Sequence, residues 1–246
     1  MNNDAQSVRD YVRSRYGLRA QQGLNCCDPS TQALPQIYSA NEVRMVPAEV
    51  LAVSAGCGNP TALADLKTGE VVVDLGSGGG IDCFLAAEKV GSAGKIYGVD
   101  MTMDMIKIAR KNASLLGFSN IEFLHSEIEN IPLADSSVDV VISNCVICLS
   151  PEKDKVFKET FRLLRPGGRV HLSDMMAEQV LPEEIRTDAE AWASCVAGAD
   201  SLQVYLDRLT NVGFQHIEVT KKTVKQDAND NQPEVFSALI VAYKPR

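Results

Sequence analysis

Three of the seven cysteines stand in segments that read as loops: Cys57 between Gly56 and Gly58, Cys145 after Ser143-Asn144, and Cys195 ahead of Val196-Ala197-Gly198-Ala199. One cysteine alone is more often an inert buried residue. Three in loops point to a site, because thiolates brought together select soft, thiophilic centres such as Cu(I), zinc or trivalent arsenic. Two more, Cys26 and Cys27, share a polar, turn-forming stretch ending in Asp28-Pro29-Ser30. No pair repeats at zinc-finger spacing, and His125, His171 and His216 are too scattered to complete a structural zinc site. An odd cysteine count in a chain with no secretory start argues for free thiols over a disulfide framework. Cys145-Val146-Ile147-Cys148 has the spacing of a redox or metal pair. A strand continuing past Cys145 would send Cys148 to the opposite face, whereas a helical turn there would bring both to one side. The strand reading makes Cys148 a packing residue and not a substrate ligand.

A second group of residues could hold a ligand. Val71-Val72-Val73-Asp74-Leu75 reads as a buried strand, and Gly76-Ser77-Gly78-Gly79-Gly80 turns it into a helix beginning near Gly80. Helix N-termini present free amides to a polar or anionic group. The dinucleotide fingerprint needs a glycine where this chain has Ile81, and no Gly-Lys-Ser/Thr follows for a P-loop. Asp74 just ahead of the loop would repel a pyrophosphate but suits a cationic amino group, which points to S-adenosylmethionine rather than NAD. Roughly twenty residues further on, a strand ends at Asp100-Met101, where a carboxylate can accept both ribose hydroxyls. In Ser126-Glu127-Ile128-Glu129 a polar side chain could meet an adenine amino group while Ile128 covers the ring. Asn144 is either a hydrogen-bond partner for the amino-acid end of the cofactor or a turn residue.

These residues need a scaffold, and from Glu70 strands and helices alternate with short connections, the pattern of a parallel sheet covered on both faces. Strands are expected at 70–75, 95–100, 120–124, 138–143, 168–173, 214–224 and 235–243, and helices at 80–90, 103–116, 151–164, 182–194 and 201–212. Pro166-Gly167-Gly168 is expected as a sharp turn, and the polar stretch 226–234 as a hairpin that makes the last strand antiparallel. Ahead of the sheet, Val8, Tyr11, Val12 and Tyr16 predict an amphipathic helix ending at Gly17 that could close over the cofactor, and 43–53 predicts a second helix. A chain of 246 residues fits one domain: a helical cap over 1–49, a cofactor-binding core over 70–175, and substrate-side helices with the final hairpin over 176–246. Its net charge of −8 and lack of a basic run disfavour nucleic acid and anionic membranes as partners. No apolar stretch reaches spanning length, so a cytoplasmic location is expected.

The ordered blocks resemble the class I S-adenosylmethionine-dependent methyltransferases, whose fold is a seven-stranded sheet with helices on both faces and an antiparallel last strand. That resemblance implies that Asp74, Gly76, Ser77, Gly78, Asp100, Met101, Glu127, Ile128 and Asn144 surround the cofactor. Gly56-Cys57-Gly58-Asn59-Pro60, Ser143-Asn144-Cys145-Val146-Ile147 and Cys195-Val196-Ala197-Gly198-Ala199 further resemble the arsenite methyltransferases. The narrower resemblance implies that Cys145 and Cys195 bind trivalent arsenic, with Cys57 as a third thiol, and that Cys26 and Cys27 belong to an accessory thiol region. It also implies an external thiol reductant of glutathione or thioredoxin type. At Cys148 that family usually has asparagine, and Asp200-Ser201 replaces a more usual apolar pair.

Attack by an arsenic lone pair needs no general base, which fits the shortage of histidine. Two other readings compete. A methyltransferase of a small organic carbon or oxygen acceptor would need a general base, and a non-catalytic thiol protein that sequesters a soft metal would not need Asp74 and Asp100. The sequence leaves oligomeric state open.

Overall fold

The computed structural model describes residues 4–22, 37–222 and 235–246. Its strands are β1 (Val71–Leu75), β2 (Lys95–Asp100), β3 (Ile121–His125), β4 (Val138–Asn144), β5 (Leu164–Ala177), β6 (Gln215–Lys222) and β7 (Val235–Tyr243). They form one sheet in the order β3-β2-β1-β4-β5-β7-β6. β1 through β5 pair in parallel, and β7 is antiparallel to both β5 and β6. The central strands are apolar on both faces because helices cover both: Val72, Val73, Leu75, Val140, Val141 and Ile142 are fully buried. One core cluster lies on each side of the sheet, the first around Phe84, Ile106 and Phe123, the second around Phe157, Leu163 and Tyr205.

Register decides which residues share an edge. Leu75 pairs with Val99 on one side and Ser143 on the other, and Asn144 pairs with Ser173. The loop after β1, Asp100 after β2 and Asn144-Cys145 after β4 therefore lie at one C-terminal edge. The chain order reverses between β1 and β4, the place where open α/β sheets leave a crevice for ligands. Positive φ angles at Gly76 (65°), Gly78 (51°) and Gly80 (97°) let the loop fold back over that crevice.

Several boundaries differ from the periodicity reading. The first helix runs through Gly17, over Ala5–Gln22, because Tyr16 and Ala20 continue its packing against the core. Pro47 splits the expected second helix into Ala40–Met45 and Ala48–Val53, since it supplies no amide to continue a helix. The expected helix over 182–194 is two short pieces, Glu183–Arg186 and Ala189–Ala193, with Asp188 capping the second through the Ala191 amide. Pro166-Gly167-Gly168 lies inside β5 as an irregularity where its register against β4 shifts between Val138 and Val140. The stretch expected to form the hairpin loop, 226–234, lies outside the described residues, as do Cys26 and Cys27. No described helix is long and apolar enough to cross a membrane.

His171 on β5 is 5% exposed, and neither ring nitrogen has a hydrogen-bond partner among the described residues. Burial, reinforced by the Arg169 charge, lowers its pKa from an ordinary 6.5 to about 4. Folding thus favours the neutral ring: the stability this contributes is complete above about pH 6.5 and is lost as pH falls through 4. Denaturant unfolding at pH 7 and pH 5 is expected to cost the wild type about 2 kcal/mol more than the His171→Leu variant over that interval. Equal losses in both chains would show that the ring is not held neutral.

Candidate active site

The crevice at the C-terminal edge is a partly open cleft of about 110 Å³. The loop residues Gly76, Ser77 and Gly78 form its floor, and Asp100, Met101, Ile128 and Asn144 also line it. Asp100 Oδ2 accepts the Gly78 amide at 2.9 Å and Oδ1 accepts the Thr102 amide at 2.7 Å. Burial raises its pKa while these amides pull it back down, so the carboxylate both braces the glycine loop and faces the ligand space.

Two expected contacts are displaced. Asp74 does not line the cleft; it is 2% exposed, points beneath the loop and accepts the Cys83 thiol at 3.2 Å. The acid that does reach the cleft is Asp82, in the first turn of the helix Ile81–Val90. Tyr38, Thr61 and Asn144 all donate to its carboxylate at 3.0–3.2 Å. Periodicity missed Asp82 because an acid there also suits the helix dipole, which offers an ordinary explanation. Glu127, the other displaced residue, is held by Arg13 at 3.1 Å and Arg9 at 3.5 Å, and Glu129 lines the cleft in its place.

Arg9 extends from the first helix into three carboxylates, Glu127, Glu129 and Glu152. Arg9, Val12 and Tyr16 form part of the cleft wall, so this helix lies across the opening. The residues suit a cationic ligand head. Burial raises the pKa of Asp74 and Asp82, their mutual repulsion adds to the rise at Asp74, and a nearby positive charge would relieve both. The Ser77 hydroxyl is buried with no partner among the described residues, leaving a donor and acceptor for a ligand at the loop.

The thiols meet beside this cleft. Asn144 fixes the first of them: its Oδ1 accepts the Cys57 and Gly58 amides at 3.0 and 3.2 Å, and its Nδ2 donates to the Gly58 carbonyl at 2.7 Å. The side chain is therefore a clamp on the Cys57 loop as well as a cleft residue. Cys57 and Cys145 are joined as a disulfide across 88 sequence positions, with Cα atoms 5.7 Å apart. That corrects the expectation of free thiols throughout: the register that places Asn144 against Ser173 also brings the Cys57 loop onto the end of β4. Among the described residues, Cys83, Cys148 and Cys195 are free and buried.

Cys148 departs most from the alternation reading. β4 stops at Asn144, Cys145 takes a left-handed φ of 59°, and Ile147–Leu149 forms a turn of 3₁₀ helix. Cys145 stands just ahead of that turn and Cys148 within it, and their sulfurs lie with that of Cys195 within 4.8 Å of one another. Cys195 also has a left-handed φ, 64°. Left-handed geometry at two non-glycine residues costs on the order of 1–3 kcal/mol each, and such strain concentrates at functional sites. Val8, Val12, Leu149, Met175 and Leu181 enclose the three sulfurs in an apolar cluster. Gly198 keeps it tight, because a Cβ there would collide with the Cys148 carbonyl and the Trp192 ring.

Residues 66–231 match the family described as a methyltransferase domain. An arsenite methyltransferase of Halobacterium salinarum is 40% identical over 98% of this chain and 68% of its own length. A second, from Aquipseudomonas alcaligenes, is 41% identical over 78% of this chain and 58% of its own. The crystal structure of an arsenic(III) S-adenosylmethionine methyltransferase from Chlamydomonas reinhardtii superposes with a TM-score of 0.74 at 34% identity, covering 83% of this chain and 73% of that one.

Proposed function

The chain belongs to the arsenite methyltransferase family, and from that premise we propose that it transfers methyl groups from S-adenosylmethionine to trivalent arsenic held on its cysteine sulfurs. The observation that carries this reading is the cluster of buried sulfurs, Cys145, Cys148 and Cys195, at the rim of a cleft that Cys145 itself lines. Residues 1–49 serve as the cap, 70–175 as the cofactor core and 176–246 as the substrate side. Asp100 would hold the ribose, the 76–80 loop and Ser77 the amino-acid end, and Met101 and Ile128 the adenine faces. Asp82 and Asp74 supply the negative field for the cationic end. S-adenosylmethionine supplies a methyl group already activated on a sulfonium.

The chain's own task is then capture and aim. Cysteine thiols condense with arsenite, each As–S bond releasing one water, and the fixed sulfurs direct the arsenic lone pair toward the cleft. Methylation leaves arsenic formally pentavalent. Two thiols return it to the trivalent state by forming one disulfide, and the Cys57–Cys145 bond supports that pair in this role. An external thiol of glutathione or thioredoxin type would reopen that bond. The helix Ala5–Gln22 excludes water from the sulfurs through Val8 and Val12. An organic acceptor would ask for a base, and no histidine lines the cleft.

Incubating the chain with S-adenosylmethionine, arsenite and a thiol reductant is expected to yield methylated arsenic, read by chromatography with arsenic-specific detection. Absence of methylated arsenic, with methyl transfer to an organic acceptor instead, would sink the proposal.

A further inference from the structure

We propose that Cys148 is a substrate ligand, the third sulfur of a three-thiol site for trivalent arsenic formed with Cys145 and Cys195, and that Cys57 is not part of that binding set. The inference rests on the arsenic reading above and names the sulfurs that carry it. Its basis is placement. The 3₁₀ turn at Ile147–Leu149 brings the Cys148 sulfur beside that of Cys145, and all three sulfurs lie within 4.8 Å of one another. Cys57 is outside this group; its sulfur bonds to Cys145 and lies 3.5 Å from the Ser173 hydroxyl.

The turn is held in place independently of any ligand. The Cys148 amide donates to Asp174 Oδ2 at 3.0 Å, and Tyr205 donates to the same oxygen at 3.3 Å. The Cys145 amide donates to the Ser173 carbonyl at 2.7 Å. Gly198 lets the segment carrying Cys195 press directly against the Cys148 carbonyl. The three sulfurs are thus preorganised, which cuts the ordering cost of binding.

The chemistry fits a closed apolar pocket. One arsenite and three thiols form three As–S bonds and three waters, with no change in oxidation state and no net charge left behind. A neutral product is the form that a low-dielectric cluster tolerates. Trivalent arsenic is three-coordinate and pyramidal, with its lone pair opposite the three sulfurs, and sulfur donors are the ones a soft centre prefers. While the Cys57–Cys145 disulfide is closed, Cys148 and Cys195 remain as a two-thiol site that can retain arsenic through two As–S bonds. Opening the disulfide returns Cys145 and completes the third.

Arsenic K-edge X-ray absorption on the full chain, reduced with tris(2-carboxyethyl)phosphine and given one equivalent of arsenite without S-adenosylmethionine, counts sulfur neighbours directly. Three sulfurs are expected in the wild type and in Cys57→Ser, and two in Cys148→Ser and Cys148→Ala. Displacement by a competing small dithiol should require at least tenfold less dithiol for the Cys148 variants. Two sulfurs in the wild type, three in a folded Cys148 variant, or a fall to two in Cys57→Ser would each overturn the assignment. Should both Cys148 variants fail to fold, the wild-type and Cys57→Ser counts decide it alone. A wild type that binds no arsenic would overturn the functional reading itself, and so separates the two failures.

Discussion

Replacing Cys145 or Cys195 by serine is expected to abolish methyl transfer to arsenic and to lower arsenite affinity by several orders of magnitude. Each residue contributes a sulfur to the cluster, and a serine hydroxyl is a hard oxygen donor no better than the water that arsenite already carries. The two variants should differ in a second readout. Cys145→Ser removes the partner of Cys57, so that thiol becomes titratable in the oxidised chain, whereas Cys195→Ser leaves the Cys57–Cys145 bond intact. Both backbones have positive φ, 59° at Cys145 and 64° at Cys195, and serine adopts that region at a similar cost to cysteine. The folds should therefore survive, which near-unchanged thermal melts would verify. S-adenosylmethionine binding by calorimetry should persist in Cys195→Ser, because its sulfur does not line the cleft. Full methylating activity in either serine variant would remove the cluster from the reaction.

Asp100→Ala is expected to weaken S-adenosylmethionine binding by about 1–3 kcal/mol through loss of charge-assisted hydrogen bonds. That is roughly a fivefold to 150-fold rise in Kd. The carboxylate accepts both the Gly78 and Thr102 amides, so its removal also loosens the glycine loop. Asp100→Asn separates the two effects: its single amide oxygen can still accept one of these amides, but it brings no charge to a ribose hydroxyl. An intermediate loss in Asp100→Asn is expected, together with arsenite binding that stays at the wild-type level in both variants. Calorimetry showing unchanged S-adenosylmethionine affinity in Asp100→Ala would move the ribose site elsewhere.

The sheet was legible in the sequence because each central strand carries its own signal. Runs such as Val71-Val72-Val73 state burial on both faces, and the glycines after Leu75 mark where the chain must turn. β2 and β7 begin and end where alternation placed them, at Lys95–Asp100 and Val235–Tyr243. From strand order alone, Asp100, Asn144 and Cys145 had to fall at one edge, because parallel strands present all their C-terminal ends together. The thiols Cys57, Cys145 and Cys195 could be singled out by their loop contexts and by the blocks around them.

What periodicity could not supply was the side on which a residue falls once its strand has ended. Cys148 faces Cys195 because β4 stops one residue before Cys145 and a 3₁₀ turn follows, and that turn is braced by the Asp174 carboxylate and the Gly198 contact, both distant in sequence. Asp74 lies beneath the loop rather than in the cleft for a related reason: Cys83, in the first turn of the next element, donates its thiol to that carboxylate. Asp82 enters the cleft through bonds from Tyr38, Thr61 and Asn144, which lie 44, 21 and 62 positions away in the chain. Glu127 leaves it for Arg9 and Arg13 on the first helix. Local sequence thus determined which elements form and which chemical groups they carry. The long-range register between β4, β5 and the segments that precede the sheet decided which of those groups meet.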